Sequence, residues 1–112
     1  MHKLLDIINQ NLDNPALNVE MITTEIGISR VHLHRKMKEL TNQSTRDFIR
    51  NIRLKKAAEL FSSKHINISE VAFAVGFTNL ASFSNAFKEL YGVSPTAYME
   101  SHATQFEKAR ND

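Results

Sequence analysis

Five histidines and twelve carboxylates are the side chains of this sequence that could hold a metal ion or exchange protons. His32 and His34 are two positions apart, so they would face different sides of a helix. His2, His65 and His102 are scattered, without an Asp or Glu at the spacing of a metal or hydrolase motif. A surface or half-buried histidine is more common than a ligand. A metalloenzyme or hydrolase is therefore the weaker hypothesis, and we predict no catalytic residue, no metal and no cofactor.

The absence of cysteine and the shortness of the apolar runs exclude several classes of protein. The sequence contains no cysteine, which excludes disulfides, thiolate metal sites and cysteine nucleophiles and suits a reducing compartment. Its longest apolar run, residues 71–77, has seven residues, whereas a membrane-spanning helix needs about 20. No signal-peptide pattern is present. We expect a cytoplasmic domain that makes no membrane contact.

The basic residues are concentrated in one part of the chain. Residues 29–56 carry nine basic and two acidic side chains, a local net charge of +7 in a chain whose total is +2. A positive block of this kind attracts phosphates and releases counterions when it binds them. Charge alone, however, favours the simpler interpretation of a solvated helix face. The elements that position these side chains must decide between the two.

The sequence predicts an all-α fold of about seven helices, because only three glycines and two prolines interrupt it and no stretch alternates apolar with polar residues. Leu4, Ile8 and Leu12 mark one face of a first helix, which residues 13–15 should close. Further helices are predicted at 19–26, 29–40, 44–62, 68–75 and 79–91, and a short one from Pro95. The side chains predicted to be buried in them are Leu33, Met37, Leu40, Phe48, Ile52, Ala57, Ala58, Phe61, Phe83, Phe87 and Leu90.

Residues that favour helix ends lie at the boundaries of the predicted helices. Ser29 is a predicted N-cap of the third helix, and Asn67 or Ser69 of the fifth. Asn42 and Gly92 follow the third and sixth helices and tolerate the left-handed conformation found at helix C-termini.

The second and third helices resemble the fifth and sixth. Val19, Ile22, Ile26 and Gly27 align with Ile68, Val71, Val75 and Gly76 at an offset of 49 residues. After the turn the offset is 50, and residues 37–42 match 87–92, including an identical Lys-Glu-Leu triplet. Each copy is a short helix, a tight glycine turn with Ile28 or Phe77 in its angle, and a longer helix capped by Ser29 or Asn79. This is the helix-turn-helix arrangement, whose second helix enters the DNA major groove.

Two helix-turn-helix units beside a basic helix predict sequence-specific binding of double-stranded DNA. The alternative is a helical protein-interaction module without DNA binding, in which exposed Val31, Leu80 and Ala81 would contact partner helices. Salt-sensitive affinity for a random duplex distinguishes the two.

The outer faces of the third and sixth helices hold the predicted base-reading residues. Arg35 can donate two hydrogen bonds to guanine, His34 can donate to a base acceptor, and Val31 can contact a thymine methyl. Asn85 can pair with adenine, and Leu80 can contact a thymine methyl. The full predicted set is Arg30, Val31, His34, Arg35, Leu80, Ala81, Ser84 and Asn85.

Phosphate contacts are predicted around these faces, through side chains and helix N-terminal amides. The candidates are Ser29, Lys38, Arg46, Arg50, Arg53, Lys55, Thr78, Asn79 and Lys88. Arg46, Arg50 and Arg53 are predicted to share an exposed stripe of the fourth helix. For any one of these charges, solvation alone is an equally good explanation. The second unit carries fewer charges, so we expect more shape-dependent readout there.

The order of several short segments carries a further signal. Residues 27–36 (GISRVHLHRK) open the third helix, and residues 48–57 lie in the fourth. Residues 68–77 (ISEVAFAVGF) precede Phe83-Ser84, Phe87-Lys88, residues 91–95 (YGVSP) and Tyr98. This set, within roughly residues 19–98, resembles the DNA-binding domain of AraC/XylS-type bacterial transcription regulators. The sequence departs from that family at Thr23, where Ala is usual, at Thr45, where Pro is frequent, and at Asn42, where Gly is frequent.

The resemblance implies two small helical subdomains joined by one long helix, with recognition helices at about 29–40 and 79–91 in successive major-groove segments, about 34 Å apart. We accordingly divide the chain into a first subdomain (1–43), a connecting helix (44–62), a second subdomain (63–102) and a polar tail (103–112). Family members usually couple this domain to a ligand-binding or signalling portion. The resemblance therefore implies RNA polymerase or an upstream signalling domain as further partners, and a nucleoid-associated location in a bacterial cytoplasm.

Overall fold

Seven helices make up the part of the chain that this computed structural model describes, residues 2–63 and 67–101. They are α1 (His2–Gln10), α2 (Val19–Ile26), α3 (Arg30–Thr41), α4 (Thr45–Ser63), α5 (Ile68–Ala74), α6 (Leu80–Tyr91) and α7 (residues 95–101). No strand occurs in those ranges, and the predicted all-α fold is confirmed. The predicted polar tail, His65 and His102 lie outside the described residues.

Helix ends are fixed by local hydrogen bonds of the kind that the sequence predicts. The side chains of Asn18, Ser29, Asn67 and Asn79 each accept a hydrogen bond from a backbone N–H three residues later, at 2.8–3.1 Å. Asn42 ends α3 in the left-handed conformation, at φ 56°. Asn67 rather than Ser69 is the N-cap of α5, and the Asn18 cap was not predicted.

Two separate hydrophobic cores lie along the molecule, which is 52 Å in its longest dimension. The first core is aliphatic and is built from α1, α2, α3 and the first half of α4. The second is built from the last half of α4 with α5, α6 and α7, and it is rich in aromatic rings. We call the two lobes the first unit (residues 2–52) and the second unit (residues 54–63 and 67–101).

Helix α4 serves both cores with different faces. Ile49 is buried in the first core, whereas Leu54, Ala57 and Phe61 are buried in the second. With about 100° between successive residues, the second set lies about 80–140° around the helix from Ile49, so the two cores take different sides of α4. Residue Arg53 lies at the changeover between them.

Some predicted core positions are wrong. Leu40 and Leu90 are 58% and 41% exposed. They lie in the last turns of the 12-residue helices α3 and α6, whose partners α2 and α5 have only eight and seven residues and are too short to cover those turns. Phe48 and Ile52 are only partly buried, because the face of α4 that enters the first core is centred closer to Ile49.

Candidate nucleic-acid interface

The outer face of α3 is exposed to solvent because the opposite face packs into the first core. Leu33 and Met37 are 2% and 0% exposed. That orientation turns the opposite side of the helix outward, and Val31 is 67% exposed. The predicted base-reading residues of this helix, Arg30, Val31, His34 and Arg35, are all exposed.

The outer face of α6 repeats this geometry at an offset of 50 residues. Phe83 and Phe87 replace Leu33 and Met37 and are completely buried. Leu80, Ala81 and Asn85 are exposed, whereas Ser84 is half-buried. The two predicted surfaces therefore occupy equivalent positions on equivalent helices, but the surface of α3 carries arginine and histidine where that of α6 carries neutral side chains.

The predicted phosphate contacts fall into two groups. Most are exposed: Ser29, Lys38, Arg46, Lys55, Thr78, Asn79 and Lys88. Arg50 and Arg53 are half-buried instead, so the predicted exposed stripe of α4 is wrong for these two arginines. Arg50 Nη2 lies 3.7 Å from Asp47 Oδ1, and both side chains remain 42–50% exposed, so this ion pair is a weak restraint.

A continuous concave surface connects the first recognition helix to the second unit. One depression is lined by Arg30, Val31 and His34 of α3 together with Val19 and residues 44–46. A neighbouring groove of about 410 Å³ shares Val19 and Arg46 with it, continues past Arg50 and Arg53, and reaches Phe77. Phe77 lies in the turn three residues before α6 begins. The arginines of α4 thus line a path between the two helix-turn-helix units.

Arg53 makes contacts that the sequence did not predict. Its Nη2 donates a hydrogen bond to the backbone carbonyl oxygen of Asn14 at 2.8 Å, and its Nη1 donates to that of Gly76 at 3.3 Å. Burial lowers the pKa of the Arg53 guanidinium, but an arginine remains charged in a protein. No sequence signal distinguished Arg53 from Arg46 or Arg50, since both carbonyls are distant along the chain.

Neither a metal site nor a membrane-spanning helix is found in residues 2–63 and 67–101. No cluster of three His, Asp or Glu side chains there could hold a metal ion. None of the helices in the same ranges is both long and apolar enough to cross a bilayer.

Comparison with known families decides between the two functional hypotheses. A family model described as a helix-turn-helix domain matches residues 22–101, most of the chain. The chain belongs to the AraC-type helix-turn-helix family. Domains of this type bind DNA and regulate transcription, so this chain is a DNA-binding module rather than an enzyme or a protein-interaction module alone.

The similar proteins are matched over different shares of their own lengths. The multiple antibiotic resistance protein MarA of Escherichia coli is 30% identical over 98 residues, which are 88% of this chain and 76% of MarA. Histidine kinase P4 of Formosa agariphila is 35% identical over 106 residues, 95% of this chain but only 8% of the kinase. The crystal structure of the DNA-binding domain of the transcriptional factor AdpA, in complex with a target DNA, shares the fold, with a TM-score of 0.85, 21% identity and 93% of each chain covered.

Proposed function

We propose that this AraC-type domain binds a bipartite site on double-stranded DNA, with α3 and α6 in successive major-groove segments on one face of the duplex. The observation that carries the proposal is the concave surface that runs from Val31 and His34, past Arg46 and Arg50, to Phe77 in the turn that precedes α6. Two half-sites one helical turn apart are about 34 Å from each other. A molecule 52 Å long can span them.

Base reading is assigned to the exposed residues at the N-terminal ends of the two recognition helices. Arg35 would bind the O6 and N7 atoms of a guanine, with His34 on a neighbouring acceptor and Val31 on a thymine methyl. Asn85 would bind an adenine and Leu80 a thymine methyl. Three further exposed or half-exposed residues, Arg30, Ala81 and Ser84, complete the two surfaces.

Phosphate binding is assigned first to Arg46 and Arg50, because they line the groove that runs along α4 from Val19 to Phe77. Ser29 and Asn79 already accept a hydrogen bond from their own helix, but each retains a donor that can reach a phosphate oxygen. Lys38, Lys55, Thr78 and Lys88 are exposed candidates at the edges.

The proposal is tested by selecting duplexes from a random pool and then titrating matched and mismatched sites at two salt concentrations. Arg35→Ala should weaken the free energy of binding to the matched site by about 1–3 kcal/mol and relax the sequence preference at one base pair. Arg50→Ala should weaken binding to all duplexes alike and reduce the dependence on salt. If Arg35→Ala behaves like Arg50→Ala, the base-reading assignment is wrong. Absence of salt-sensitive binding to any duplex would refute the function itself.

We further propose that this domain is the DNA-binding output of a signalling protein in the bacterial cytoplasm and acts at the nucleoid through RNA polymerase. The 35% identity to one short part of a histidine kinase supports a signalling context. In transcription with purified bacterial RNA polymerase, adding the domain should change the yield from a promoter that carries the selected site. An unchanged yield over the full range of site occupancy would remove RNA polymerase as a partner.

A further inference from the structure

We infer that Arg53 is a positioning residue that fixes the orientation of the two helix-turn-helix units relative to each other, and with it the half-site spacing that the domain accepts. The second part of this inference rests on the proposed function. The first part concerns the protein alone and can be tested without DNA.

Arg53 occupies the place in α4 where the helix passes from one core to the other. Ile52 packs against the first core, and Leu54 is completely buried in the second. The principal helix contacts run within each unit or to α4: α1 with α2, α2 with α3, and α3 with α4 on one side, and α4, α5 and α6 with each other on the other. Rotation about the middle of α4 would therefore change the angle between the units while leaving both cores intact.

The guanidinium of Arg53 joins the two units across this point. The Asn14 carbonyl that it binds belongs to the connection between α1 and α2, in the first unit, whereas the Gly76 carbonyl belongs to the turn of the second unit. The two acceptors are bound by different nitrogens of one planar group, so the hydrogen bonds set direction as well as distance. Lysine has a single charged nitrogen on a flexible stem and cannot reproduce this fork.

The backbone at Gly76, in the second unit, lies unusually close to the backbone at Leu12, in the first unit. Gly76 has a φ of 92°, and a Cβ atom there would collide with the Leu12 carbonyl oxygen and lie 2.9 Å from Arg53 Cζ. Gly27 occupies the equivalent turn of the first unit with a φ of 82°, yet a Cβ atom there would meet nothing within 4 Å. The close approach is therefore a contact between units and not a requirement of the turn itself.

These contacts separate Arg53 from the other arginines of α4. A residue that only contacts phosphate can be replaced by lysine with retention of charge, salt dependence and spacing preference. A residue that sets the angle between the units should keep its charge effect as lysine but lose its effect on spacing.

The protein-only test measures the distance between spin labels on the two units. Because the chain has no native cysteine, Glu25→Cys in α2 and Glu89→Cys in α6, both exposed positions, give two specific labelling sites. The distance distribution should be narrow with Arg53 present and broader or displaced with Arg53→Lys. Lys56→Met, which removes an exposed charge from the same helix, is the matched control and should leave the distribution unchanged. Equal distributions for the wild type and Arg53→Lys would overturn the inference.

The DNA test uses the selected site and the same site with one base pair inserted between its halves, which rotates one half by about 34° and moves it by about 3.4 Å. The unsubstituted domain should bind the lengthened site about tenfold more weakly. Arg53→Lys should reduce that penalty to about threefold or less while keeping the salt dependence. An undiminished penalty in Arg53→Lys would overturn the role in spacing even if the domain binds DNA as proposed.

Circular dichroism establishes that each variant keeps its helices. If Arg53→Lys loses helix content, Arg53→Met takes its place and is judged by the spin-label distances and the spacing penalty, not by salt dependence, because it lacks the charge. Should no duplex bind at all, the proposed function fails, and the spin-label distances still decide whether Arg53 fixes the angle.

Discussion

Met37 and Phe87 occupy equivalent positions of α3 and α6, fifty residues apart, and both are completely buried. In the core that contains Met37, the other buried side chains are all Leu and Ile, and one ring, Phe48, is partly buried against them. Around Phe87 lie the rings of Phe61, Phe83, Tyr91 and Tyr98, with centroids 4.6–5.8 Å away. The same backbone arrangement is thus stabilised by two different kinds of packing.

Outer surfaces of the two units differ as much as their cores. Arg30 and Arg35 on α3 correspond to Leu80 and Asn85 on α6. The helix caps, by contrast, are chemically alike, since Ser29 and Asn79 each accept a hydrogen bond from the third backbone N–H that follows. The two units thus share the hydrogen bonds at their helix ends, although their cores and their outer surfaces differ.

The largest expected effect is on the aromatic core. Phe87→Ala should lower the free energy of unfolding by about 3–5 kcal/mol, because it leaves a cavity among four rings. Met37→Ala is the corresponding change in the first unit. It should lower the free energy of unfolding by less than Phe87→Ala does, within the range of about 2–5 kcal/mol, because aliphatic neighbours can close part of the cavity. Urea unfolding followed by circular dichroism measures both values. A larger loss for Met37→Ala would contradict this ranking.

Replacing each turn glycine with alanine should distinguish the energetic cost of backbone strain from the cost of crowding between the two units. Gly27→Ala should cost about 1–2 kcal/mol, since only the left-handed conformation opposes the added methyl group. Gly76→Ala should cost at least about 1 kcal/mol more, because the Leu12 carbonyl and the Arg53 guanidinium must also move. Thermal and urea unfolding of the two variants give the difference. Equal losses would mean that the approach at Gly76 is relieved without cost.

Alkaline pH should distinguish two equivalent positions of the repeat, Tyr91 and Thr41, because only the tyrosine carries a phenol. Burial raises the pKa of the Tyr91 phenol above its usual 10.0, and nearby Tyr98 and Glu59 raise it further. The neutral phenol is therefore favoured in the fold, so its contribution is complete below about pH 10 and is lost as pH rises through the elevated pKa. Tyr91→Phe should flatten the decline in stability above pH 10, measured by unfolding at several pH values. A decline of unchanged slope would exclude Tyr91 as its source.

The smallest effects are expected at Leu40 and Leu90. Their exposure of 58% and 41% predicts that each alanine substitution changes the free energy of unfolding by no more than about 0.5 kcal/mol. Burial, as the sequence pattern predicts, would instead make each cost about 2–5 kcal/mol. Unfolding curves of the two single variants distinguish these values directly.

Local features of the fold were predictable from the sequence, and features that depend on distant parts of the chain were not. The caps at Ser29 and Asn79 and the left-handed residue Asn42 were predicted because each depends on the few residues beside it. The exposure of Leu40 was missed, because helical periodicity does not show how far a partner helix extends. Arg53 was predicted as a phosphate contact like its neighbours, since nothing in the sequence reveals the approach of the Asn14 carbonyl.

The recognition surfaces follow the same division. The orientations of α3 and α6 were predictable because buried residues at a spacing of four, such as Leu33 and Met37, determine which side faces outward. The groove along α4 that reaches Phe77 was not predictable, since it depends on the angle between the two units.

The two apolar faces of α4 limit how the molecule can be divided. A fragment that stops before Thr45 lacks Ile49 and leaves the first core open on one side. A fragment that starts at Ile68 lacks Leu54, Ala57 and Phe61, and its remaining core faces water. Each unit therefore needs its own half of the connecting helix, and a cut close to Arg53 is the division that leaves both cores with all of their α4 residues.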